Sequence, residues 1–78
     1  MPTISYYNGY RFFFYSLEGK GKPHVHVYKA GVEAKIWLEP LELAKNTNFS
    51  NQQLRDILRY TGENKTLFLD AWYEYFGY

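Results

Sequence analysis

The sequence predicts an α+β fold: an antiparallel four-stranded sheet in β-β-β-β-α-α order, with C-terminal helices packed on one face. Three observations predict it. Residues 3–39 are β-branched and aromatic runs broken by turn residues. Residues 50–76 place apolar side chains at helical spacing behind a helix start signal. A chain of 78 residues has the length of one domain, 1–78, which such an arrangement closes around a single core.

The elements follow in order. TISYY (3–7) is a strand, and Asn8-Gly9 after it is a strong hairpin signal. RFFFYSLE (11–18) is the second strand. GKGKP (19–23) is a loop; its glycines have no P-loop spacing and no helix follows, so a mobile loop is expected. HVHVYKA (24–30) alternates polar and apolar residues as a third strand. GVEAKIWLE (31–39) turns at Gly31 and forms the fourth, which Pro40 stops. LELAKNTN (41–48) is expected as a short irregular edge segment.

Ser50 is the N-cap of the helical half, with Gln53 in capping-box position and Phe49 placed to staple against Leu54. Leu54, Ile57, Leu58 and Thr61 form one helical stripe; Leu67, Phe68, Ala71, Trp72, Tyr75 and Phe76 form another. Gly62 falls between them, which predicts two helices with a break at residues 60–64.

Composition narrows the function classes. There is no cysteine, so disulfides and thiolate metal sites are excluded. MPTISYYNGY lacks the basic start and apolar run of a signal peptide, and no apolar run has bilayer length; a cytoplasmic location is expected. Nine Tyr, six Phe and two Trp supply the packing mass of a small core and leave ring surface for a partner. The net charge of +1 argues against a general nucleic-acid binder. Residues 1–36 hold five basic and two acidic side chains, a net +3; residues 37–78 hold four and six, a net −2. The basic half contains both histidines.

Period-2 alternation sorts the sheet into faces. Val32, Ala34, Ile36 and Leu38 share the core face with Val25 and Val27. The opposite face then carries His24, His26, Tyr28, Lys35 and Trp37. Strand two is ambiguous between Phe12 with Phe14 and Phe13 with Tyr15 and Leu17. Arg11 shares the parity of Phe13 and Tyr15, which places Arg11, Phe13 and Tyr15 on the open face. With Lys22 from the loop, this face combines rings that stack on bases or bury at interfaces with cations that meet phosphate.

His24 and His26 lie about 6 to 7 Å apart along a strand. Three readings stand. The pair shows a polar face to solvent or a partner. As a metal-free ribonuclease pair, the imidazoles act as acid and base, with Lys35, Arg11 or Lys22 at the phosphate. As metal ligands they need a third donor, which Glu33 supplies only if the strands set it opposite. No cofactor is expected on the first two readings; the third takes a divalent metal at His24 and His26.

The segments MPTI…GYRFFFYS, KPHVHV, EAKIWLEP…ELAKN and NKTLFLDAWYEYF, in this order, resemble the small bacterial and phage family called domain of unknown function 4160. Two departures stand out: Lys22 replaces a proline before the histidines, and Gly62 interrupts a usually continuous helical pattern. The resemblance implies a small cytoplasmic protein encoded beside one of the domain-of-unknown-function 2442 family, an arrangement like a toxin–antitoxin module. It maps the histidine element to His24 and His26, the aromatic strand to Arg11–Ser16 and the helix anchor to Trp72. The leading expectation is therefore a small intracellular interaction protein of a toxin–antitoxin-like pair. It would bind a cognate protein or RNA through the open face around His24 and His26, with a homodimer compatible. The alternative is a metal-independent RNA endonuclease toxin using His24, His26 and Lys35.

Overall fold

The computed structural model describes residues 2–19 and 21–77; Lys20, counted with the GKGKP loop and the basic half, lies outside the described residues. Five strands, β1 (Thr3–Tyr7), β2 (Tyr10–Phe13), β3 (His24–Lys29), β4 (Val32–Leu38) and β5 (Leu41–Asn46), precede two helices, α1 (Asn51–Glu63) and α2 (Lys65–Phe76). The strands form one antiparallel meander in the order β1-β2-β3-β4-β5. The α+β architecture is as the sequence predicts, with one strand more. LELAKN is a regular edge strand rather than an irregular segment, because it ladders onto β4 from Ala34↔Asn46 to Leu38↔Leu41 around a local bulge.

Two turns set the register. Asn8 and Gly9 both take positive φ, as do Ala30 and Gly31, the backbone that matches a two-residue hairpin to strand twist. Ala30 has no special tolerance for φ 51°. Ala30→Asn is therefore expected to stabilise the fold by about 0.5 to 1 kcal/mol, raising Tm by roughly 4 °C, as thermal denaturation would read. No change or a fall would count against strain at this turn.

β2 is shorter than RFFFYSLE suggests. The chain leaves the sheet after Phe13, and Glu18 N–H donates to the Tyr15 carbonyl in a turn (3.3 Å). Strand parity does not extend to Leu17, which is 97% exposed. Phe12, Phe14, Val25, Val27, Ala34, Ile36 and Leu38 face the helices and pack with Ile57, Phe68 and Trp72 in one core. Phe13 lies across from His26 on the other face, as Arg11 parity implies, yet is itself buried.

The Ser50 capping box forms as expected: Gln53 N–H donates to Ser50 Oγ (3.1 Å), and the Ser50 N–H donates to Gln53 Oε1 (2.9 Å). Phe49 and Leu54 join the same core. The helices break at Asn64, inside the expected window. Gly62 is still helical; a Cβ there would stand 3.0 Å from Leu41 Cδ2, so the glycine makes room for β5 against α1. At the other sheet edge, Tyr7 stacks on Tyr60 (4.1 Å) and its hydroxyl donates to Asp56 Oδ1 while accepting from Arg59. Asp56 and Arg59 thus tie α1 to β1. Among the described residues, no helix is long and apolar enough to cross a membrane.

Candidate functional site

Register first decides what surrounds the histidines. β3 places His24 opposite Trp37, His26 opposite Lys35 and Tyr28 opposite Glu33. β2 places Phe13 opposite His26 and Arg11 opposite Tyr28. The face assigned by alternation therefore brings together His24, His26, Tyr28, Lys35, Trp37, Arg11 and Phe13.

The histidines are not open to solvent, however: His24 is 3% and His26 5% exposed. This corrects the reading of an alternating strand that shows imidazoles to water. The β2–β3 loop carries Glu18 onto both rings. Its Oε1 accepts from His24 Nε2 (2.9 Å) and His26 Nε2 (2.7 Å). His24 Nδ1 donates to the Lys22 carbonyl (2.8 Å). His26 packs against Phe13 (5.6 Å) and Tyr15 (4.4 Å). His24, at the first position of β3, meets Trp37 (5.5 Å) and, from α2, Trp72 (4.9 Å).

Glu33 closes the other side. Its Oε2 lies 3.4 Å from His26 Nδ1, and its Oε1 accepts from the Tyr15 hydroxyl (2.9 Å). His26 Nδ1 is the buried side-chain nitrogen without a hydrogen-bond partner among the described residues. The electrostatics follow. Burial pushes the Glu18 carboxyl up, but the hydrogen bonds from His24 and His26 outweigh it and hold the group below its ordinary value. Burial pushes His26 below the ordinary imidazole value, more than Glu18 restores. Burial, then the Glu33 hydrogen bond, raises the Tyr15 phenol.

Around this buried network lies a cationic and apolar rim. Lys22 Nζ and Lys35 Nζ stand 4.8 Å and 4.4 Å from the Trp37 ring. The Arg11 guanidinium covers Phe13 at 4.6 Å and donates to Thr3 Oγ1. Two hollows flank Lys35. One of about 360 Å³ is lined by Glu18, His26, Glu33, Lys45 and Thr47 as well; the other, about 250 Å³, by Leu17, His24 and Trp37.

Glu18 and Lys45 escape sequence reasoning, while Glu33 and Leu17 are named by it but stand differently from what it expects. Glu18 sits in a loop, where no periodicity assigns a direction. Glu33 faces His26 diagonally from its place opposite Tyr28, not across from it. Lys45 belongs to the strand read as irregular and pairs with Lys35. Leu17 follows the point where the chain leaves the sheet.

The sequence model of one family, described as domain of unknown function (DUF4160), matches residues 9–73, a span that contains every member of the network. No curated protein and no solved structure matches the chain significantly.

Proposed function

The chain belongs to the domain of unknown function (DUF4160) family, and on that premise we propose that it is an interaction protein that binds a cognate protein through the face around His24 and His26. The observation that carries this reading is Leu17. It stands 97% exposed on the loop that the Glu18 hydrogen bonds fasten to the sheet, beside Trp37 and its two lysines. A held, uncovered aliphatic side chain next to an indole is what a protein interface buries; a nucleic acid offers it little. The lysines around it favour a partner segment with an apolar centre and acidic borders. A small protein of the 2442 type, encoded alongside in a toxin–antitoxin-like pair, is the partner the family resemblance suggests.

Burial of both imidazoles also weighs toward binding and away from ribonuclease chemistry. An acid–base pair must reach the 2′-hydroxyl and the leaving oxygen. Here both Nε2 atoms are turned onto one carboxylate oxygen.

Co-expression with the neighbouring gene product tests the reading. Wild-type protein is expected to copurify with it. Leu17→Asp is expected to weaken the complex by 2 kcal/mol or more, about 30-fold in Kd by calorimetry, with Lys35→Glu weakening it less. Leu17 is exposed, so Leu17→Asp is expected to leave the fold intact, as circular dichroism would check. Unchanged affinity in that variant refutes the proposal. RNA cleavage by the purified protein, lost in His24→Ala, would replace it with the nuclease.

A further inference from the structure

We infer that Glu18, His24 and His26 form a binding site for one divalent ion of the zinc class, with a coordination position left open toward the hollow beside Lys35 and Lys45. The three donor atoms lie within 4.8 Å of one another. Two imidazoles and a carboxylate are a donor set suited to such an ion.

Hydrogen-bond bookkeeping points to a cation at the centre. The Lys22 carbonyl can only accept, so His24 Nδ1 carries the hydrogen of that bond. His24 Nε2 then joins the Glu18 oxygen, 2.9 Å away, either through a second ring hydrogen, as in the hydrogen bond described above, or through a cation held between the two atoms. His26 gives the second observation. With Nε2 donating to Glu18, its Nδ1 is buried and unpartnered, 3.4 Å from a Glu33 oxygen. If Nε2 instead binds an ion, the ring hydrogen moves to Nδ1 on the side of Glu33, whose oxygen, 3.4 Å away, needs a small approach to accept it.

Both outer ring nitrogens therefore have acceptors waiting, a backbone carbonyl for His24 and a carboxylate for His26. That arrangement fixes the tautomers of metal-ligating histidines. Tyr15, by donating to Glu33, holds the outer carboxylate in place. Donors about 2.0 to 2.1 Å from a tetrahedral zinc lie roughly 3.3 Å apart. The 2.9 Å and 2.7 Å separations widen to that value by a small withdrawal of Glu18, which rides on a loop, and the two imidazole nitrogens, set within 4.8 Å of each other, must draw together to reach it. The fourth position faces a hollow of about 360 Å³ where Lys35 and Lys45 would favour water or an anionic ligand. The site stands on this geometry whatever partner the outer rim takes.

Tag-free protein, stripped with chelator, would be titrated with Zn2+ by calorimetry, and with Co2+ while recording visible absorption. One equivalent is expected to bind, with the visible bands of a nitrogen- and oxygen-ligated Co2+. Glu18→Gln and His26→Ala are expected to lose at least about 100-fold in affinity, and Glu33→Gln about 10-fold through the outer carboxylate. An exposed acidic control, Asp70→Asn, should bind as wild type. Circular dichroism checks that each variant folds. Absence of one-to-one binding in the wild type overturns the site with no variant needed. So does Zn2+ affinity that survives Glu18→Gln or is blind to Glu33→Gln, which would mark adventitious binding to surface groups.

Discussion

Trp72→Ala is expected to lose about 3 to 5 kcal/mol of stability, enough to unfold much of a domain whose total lies near 5 to 15 kcal/mol. Trp72 is 1% exposed and carries α2 into the core. Its ring meets Phe14 edge-on at 5.3 Å and Phe76 at 4.4 Å, and walls His24 at 4.9 Å. Truncation removes the transfer energy of an indole and leaves a cavity between the sheet and α2 that neighbouring rings cannot fill. Urea titration followed by far-UV circular dichroism measures the loss. Trp72→Phe, which keeps a ring, should cost less than half as much. A loss below 1 kcal/mol for the alanine variant would mean that α2 is not anchored by this residue.

Gly19→Ala is expected to cost about 1 to 3 kcal/mol, although it adds one methyl group to a loop. A Cβ at this position would stand 2.2, 2.6 and 2.9 Å from three carbons of the Phe76 ring. Either the ring or the loop must move. The loop carries Glu18, one residue earlier, whose oxygen serves both histidines, so a loop shift also leaves two buried imidazoles without an acceptor. Gly21→Ala is the control: its Cβ would find nothing nearer than the Glu18 carbonyl at 3.9 Å, and it should be neutral within about 0.5 kcal/mol. Combining Gly19→Ala with Phe76→Leu should recover part of the loss, the non-additivity expected of two groups in contact. Equal stability of Gly19→Ala and Gly21→Ala in urea would refute the packing of this loop on α2. The same contact corrects the expectation that both glycines serve mobility.

The binding rim and the buried network divide the site by how it is encoded. Lys35 and Trp37 announce themselves by alternation, because β4 is regular along its length and each side chain is assigned a face by parity. Glu18 has no such signal. It lies six residues before His24 in a segment rich in glycine, and any of several loop paths would put it in water. Its contact with both imidazoles depends on the turn at Tyr15, on Gly19 seated against Phe76 and on the position of α2. Reading the pair from strand parity alone gives the right face and the wrong burial.

By itself the sequence determined the α+β order, the two hairpin turns, the capping box, the helix break and the faces of β3 and β4. These follow from interactions within a few residues and from the periods of 2 and 3.6, which are properties of the backbone. Only the tertiary structure decided that β2 ends at Phe13, that LELAKN ladders onto β4, and that Glu18, Glu33 and Trp72 enclose the histidines. Those outcomes rest on where a loop crosses and how helix and sheet pack. Contacts between residues 6 to 48 positions apart are set by the shape of the whole core, and no local pattern in the chain encodes them.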